Sequence, residues 1–175
     1  ALQWLIACLV GWLALNTLEL VATSPTQTLF WARLSYLFIV ATPICWLAFA
    51  LHHTGRSRWL APGRLAALAV VPTFVLVVVM VGDWYTLLWQ EYEFQQTGRL
   101  LSMHIVRHGP LFWGAAAYSY ILILCGAILL MRHYGSTFQL YRHQARLMVI
   151  GALVPVGFNA VYILHLIPGL LKDYT

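Results

Sequence analysis

The sequence predicts an all-α membrane helix bundle of about five transmembrane helices with a short extracytoplasmic β-hairpin. Three observations carry this. Of 175 residues, 62% are hydrophobic and 9% charged, whereas a soluble domain holds about 25% charged residues. So little polar surface cannot cover so much apolar surface in water. The apolar residues also fall into five runs, each long enough to cross about 30 Å of hydrocarbon. Finally, most of the Arg and Lys residues lie in the connections between runs.

The first span covers about 1–22, and Ser24 and Pro25 break it. The second covers about 30–51 and ends at His52, His53 and Gly55. A basic loop with Arg56, Arg58, Pro62, Gly63 and Arg64 follows. The third span, about 65–82, is almost pure Val, Leu and Ala, and Asp83 closes it. The long connection to Gly109 alternates partially around Gln96-Thr97-Gly98. This predicts a hairpin over about 87–107, with an interfacial amphipathic helix as the alternative. Pro110 suits a first helical turn and opens the fourth span, about 110–131. A second basic loop leads to the fifth, about 147–167, with Pro155 inside as a kink or a hinge. Residues 1–175 thus read as a single transmembrane domain. The chain begins within an apolar run, with no basic flank, so further chain upstream is expected.

Six Arg residues, Arg56, Arg58, Arg64, Arg132, Arg142 and Arg146, lie on one side of the predicted bundle, against Arg33, Arg99, Arg107 and Lys172 on the other. This places the Arg56 and Arg132 loops in the cytoplasm and the hairpin outside. The net charge of +5 is no sign of nucleic-acid binding, because the basic residues form no continuous face. Cys8, Cys45 and Cys125 lie in apolar runs with no metal or haem spacing, and read as buried small hydrophobes.

Candidate ligand-binding residues gather in the outer half. Glu19 and Arg33 are each about three residues inside their spans. An ion pair between them is expected, either as a helix-hairpin fastener or as one wall of a ligand site. Asn16 lies one turn below Glu19, and Tyr36 one turn below Arg33. Tyr118, with Ser119 and Tyr120, lies at similar depth on the fourth span, and Asn159 and Tyr162 on the fifth. Such groups turned inward would line an outward-opening pocket, with ordinary interhelical hydrogen bonding as the alternative. Trp84, Trp89 and Trp113 fall at its mouth, or in a plain aromatic belt.

No cofactor is expected. His104, His108 and His165, with Glu91 and Glu93, are poor metal candidates, and His52, His53, His133 and His143 sit at span ends, unsuited to haem. No Lys lies within a span to hold a Schiff base. Nothing reads as an enzyme, since no glycine-rich phosphate loop or paired nucleophile and base is present.

Several stretches, taken in order, carry a resemblance. They are Leu18-Glu19-Leu20 with Phe30-Trp31-Ala32-Arg33-Leu34-Ser35-Tyr36; Ala41-Thr42-Pro43 through Phe49-Ala50-Leu51-His52-His53-Thr54-Gly55; Leu87-Leu88-Trp89; His108-Gly109-Pro110-Leu111-Phe112-Trp113 with Tyr118-Ser119-Tyr120; and Tyr141-Arg142-His143-Gln144, then Pro155, Asn159, Tyr162 and Asp173-Tyr174-Thr175. The chain resembles the N-terminal seven-transmembrane sensor region of bacterial membrane histidine kinases. The resemblance implies that residues 1–175 hold the second to sixth spans, with a cytoplasmic kinase, PAS or cyclic-di-nucleotide domain elsewhere. It agrees with the orientation drawn from the Arg loops. Relatives usually carry Thr-Asn and paired His before the Leu-Leu-Trp, where this chain has Gly82-Asp83-Trp84-Tyr85-Thr86. That departure implies a different ligand, or none.

The expected function is therefore a transmembrane sensory input module in a bacterial cytoplasmic membrane, binding a small or lipid-soluble ligand. Its partners would be the lipid bilayer and other membrane subunits or a second copy, not nucleic acid. Arg142 and Arg146 would anchor the cytoplasmic interface. The rival is a structural or accessory subunit of a larger membrane complex. A transporter would need paired broken helices, and only Pro43, Pro72 and Pro155 interrupt spans.

Overall fold

A computed structural model of the chain describes residues 1–81, 84–97, 100–135, 147–151, 153, 154, 157 and 161. Among them are four helices long and apolar enough to cross a membrane. These are α1 (Leu2–Val21), α2 (Pro25–His53), α3 (Pro62–Met80) and α4 (Pro110–Gly135). Strands β1 (Trp89–Thr97) and β2 (Leu100–His108) form an antiparallel hairpin between α3 and α4. Residues 147–151, at the start of the fifth predicted span, are helical. Trp4 is 72% exposed and Leu13 69% exposed on α1. Side chains this apolar, in rows along a helix, are stable against lipid and not against water. The architecture is the expected all-α membrane bundle with its hairpin.

Helix α2 starts at Pro25, ahead of the expected position near residue 30. Ser24 caps it by accepting from the Gln27 amide at 3.4 Å, while Gln27 Oε1 accepts from the Thr23 amide at 3.4 Å. With Pro25 in the first turn, this reciprocal arrangement approximates a capping box. The other end closes in a Schellman motif. Gly55 takes φ +70°, its amide donates to the His52 carbonyl at 3.2 Å, and the Arg56 amide donates to Leu51 at 2.8 Å. A 3₁₀ turn, Ser57–Leu60, leads to α3, and Arg64 lies over the Trp59 ring, 4.6 Å from its centroid.

Among the described residues, two cores hold the bundle. At the hairpin end, Ala32, Tyr36 and Val40 of α2 meet Val75, Val78 and Val79 of α3, with Leu88 and Trp89. At the opposite end, Leu5 of α1, Trp46, Phe49 and Ala50 of α2, Ala127 and Leu130 of α4, and Val149 pack together. Trp46 donates its indole N–H to the Ile123 carbonyl of α4 at 3.0 Å. The indole can reach that backbone because Gly126 has no side chain in its path. Of the three thiols read as buried hydrophobes, Cys8 is buried and Cys45 half-buried, but Cys125 is exposed on α4. The helical runs continue past it, so its exposure is to lipid.

Candidate functional site

The hairpin is fastened to the bundle by its first residues. A 3₁₀ turn, Trp84–Leu87, leads out of α3 toward β1. Pairing runs regularly from Tyr92↔Ile105 to Thr97↔Leu100, and the register shifts between Trp89 and Tyr92. Tyr92, Met103 and Ile105 turn one face of the sheet onto the hairpin-end core, while Glu91 and Glu93 stay exposed, following the period of two in a strand. The base is closed by the Gly109 amide, which donates to the Leu88 carbonyl at 2.7 Å. A side chain at Gly109 would collide with the Leu87 backbone.

Trp89 is the centre of the site. It is 1% exposed, and its indole N–H donates to the Tyr36 hydroxyl at 3.0 Å. The two rings meet edge to face at 5.3 Å, a favoured aromatic geometry. Tyr85 lies beside Trp89 with its ring tilted, centroids 6.1 Å apart, and its hydroxyl lies 3.4 Å from that of Tyr92. Glu19 lies near the end of α1, the helix that meets β2 at this end of the bundle. The structure therefore brings Glu19, Tyr36, Trp89 and Arg33 to one end of the bundle, under the hairpin.

The expected ion pair between Glu19 and Arg33 is not found: among the described residues none joins them. Arg33 instead lays its guanidinium over the Tyr85 ring, 4.3 Å from the centroid, and its Nε is buried without a hydrogen-bond partner. Arg33 finds its partner elsewhere, because this contact commits the guanidinium to the Trp84–Leu87 turn that follows α3. Cation–π contact supplies part of what the missing carboxylate would have given.

The other candidates are used differently. Asn16 donates back to the Trp12 carbonyl of its own helix at 3.1 Å. Trp113 is 45% exposed and packs edge-on against Phe112, as a belt residue does. Trp84 is also exposed, at 60%. Tyr118 donates to the Leu68 carbonyl of α3 at 2.7 Å. Pro72 lies four residues beyond Leu68 and has no N–H, so this carbonyl lacks its normal helical donor. Tyr118 thus satisfies an acceptor that Pro72 leaves open. A narrow cleft lined by Val40, Val71, Pro72, Val75, Ala115, Tyr118 and Ser119 adjoins it, with room for little more than a water. Asn159 and Tyr162 lie outside the described residues, as do Asp83, Arg142, Arg146, Pro155 and His165. Reasoning from sequence did not single out Tyr85 or Tyr92. Their spacing with Trp89, one aromatic every three or four residues, was the available signal.

Comparison with known proteins gives one family. The family described as the N-terminal 7TM region of histidine kinase matches residues 1–175. No curated protein and no solved structure matches the chain. Four membrane-length helices among the described residues, a hairpin plugged into one end and a match over the whole sequence agree: the chain belongs to the N-terminal seven-transmembrane regions of histidine kinases, multi-pass membrane modules that serve as sensory input and are not catalytic domains.

Proposed function

We propose that this module detects a small or lipid-soluble ligand in the outer half of the bundle, at the position Trp89 occupies, with residues 1–175 acting as one transmembrane domain in a bacterial cytoplasmic membrane. The hairpin faces outward and the Arg56 and Arg132 loops face the cytoplasm, by the distribution of Arg. The observation that carries this reading is the buried Trp89–Tyr36 contact, which ties an extramembrane hairpin to a transmembrane helix. With Trp89 seated, the outer mouth is filled. A ligand that binds better with Trp89 withdrawn shifts the population toward a released hairpin and a different α2 packing. Glu19, Arg33 and Tyr36 then become its polar contacts, and Asn159 and Tyr162 of the fifth span are proposed to complete them.

The test is to change the contact without removing its bulk. Trp89→Phe keeps an aromatic plug and deletes the N–H donor, and Tyr36→Phe deletes the acceptor. In membranes carrying the full-length kinase, each should shift basal phosphorylation in the same direction, and the pair should do no more than either alone. Basal output that stays at the wild-type level in all three, with the proteins folded and inserted, would remove the contact from signalling.

A further inference from the structure

Away from the hairpin, two thiols face each other across the α1–α2 contact. Cys8 Sγ and Cys45 Sγ lie 3.7 Å apart, 37 residues apart in sequence, and neither is in a disulfide. Helix pairing, not chain proximity, makes this contact. Six positions separate Cys8 from the first residue of α1, and eight separate Cys45 from the last residue of α2. Both sulfurs therefore lie about 9–12 Å of helix rise from the helix ends, inside the hydrocarbon. Charged and strongly hydrated oxidants do not enter there. Lipid-dissolved molecules do, and α1 exposes Trp4, Ile6, Leu9 and Val10 around Cys8 to lipid.

We propose that Cys8 and Cys45 form a redox-active dithiol that membrane quinones close to a disulfide. The step balances within the pair and the quinone. Two S–H bonds break and one S–S bond forms. Both electrons and both protons pass to the two quinone oxygens, leaving the hydroquinone. The sulfurs must close from 3.7 Å to about 2.05 Å, an approach that small side-chain rotations on two facing helices supply. The product pins α1 to α2 at one register. The same two helices carry Glu19 and Tyr36, so the redox state of the membrane would set how far α1 can slide beneath the hairpin.

The alternative is that the thiols simply fill space, as small hydrophobes do, and oxidation separates the two. Cys125→Ser removes a lipid-facing thiol and leaves only this pair. The protein is reconstituted in lipid bilayers and incubated with duroquinone, whose fully substituted ring resists addition of thiols. It is then denatured, treated with N-ethylmaleimide and weighed intact. Both maleimide additions should be lost, the mass should fall by two hydrogens, and one hydroquinone should form per chain. Digestion should yield a Cys8–Cys45 cross-linked peptide, and phosphine should restore both additions. Cys45→Ser in the same background should keep its single addition. Two thiols that still take maleimide after quinone treatment, or a disulfide that joins separate chains, would overturn the proposal.

Discussion

Replacing Tyr118 by Phe should cost far more in this protein than in a variant from which Pro72 has also been removed. The Tyr118 hydroxyl donates to Leu68 at 2.7 Å, and Pro72 has taken away the amide that would otherwise serve that carbonyl. An interhelical hydrogen bond in a membrane protein is worth about 0.6 kcal/mol on average. Here the loss leaves a carbonyl in hydrocarbon with no donor, which raises the cost to about 1–3 kcal/mol. In Pro72→Ala the new alanine amide takes the carbonyl back into the helical ladder, so Tyr118→Phe then costs about 0.5 kcal/mol. The two changes should therefore couple by about 0.5–2.5 kcal/mol, read as a double-mutant cycle of reversible unfolding in mixed micelles. Changes that add within about 0.3 kcal/mol would refute the link between the proline and the phenol.

Gly126→Ala places a methyl group against the Trp46 indole, displaces it from the Ile123 carbonyl and should cost about 1–3 kcal/mol, measured as a lower detergent melting temperature. Gly55→Ala meets no neighbour within 4 Å, so its effect is purely the strain of φ +70°, about 1 kcal/mol, and Gly55→Asn should recover part of it. Arg33→Gln removes the cation over Tyr85 at 4.3 Å, and should destabilise the hairpin end by about 0.5–2 kcal/mol, seen as faster amide exchange in β1 while α4 is unchanged.

The helices were legible because lipid demands unbroken apolar runs, and Leu2–Val21 or Pro62–Met80 can be little else. The hairpin was legible from alternation on either side of one glycine. The start of α2 was not, because Thr26, Gln27 and Thr28 dilute the hydropathy there. The Ser24-Pro25-Thr26-Gln27 pattern was the better guide, since a cap depends on hydrogen-bonding atoms and not on apolarity. The Glu19–Arg33 pair is illegible for another reason: matching depth does not say which way a side chain turns, and Tyr85, which takes the Arg33 guanidinium, lies beyond α3 in the chain. Among the tryptophans, composition cannot separate a plug from a belt. Trp84, Trp89 and Trp113 share chemistry, and only the turn at Trp84–Leu87 and the strand after it decide which is buried. Pro72 advertises an open carbonyl at Leu68, yet its partner is 50 residues away and is named only by the packing of α3 against α4.

The short bond between Leu88 and Gly109 makes the hairpin a lever with a clasp. Both strands leave the membrane surface through one point, so a force on their far end cannot unzip them from below without first opening that 2.7 Å contact. Beside that contact Trp89 is buried against Tyr36, so the base of the hairpin is held by α2 as well as by the ends of α3 and α4 that feed the strands. Any displacement of the strands is therefore felt first where Trp89 meets Tyr36, one residue past the clasp.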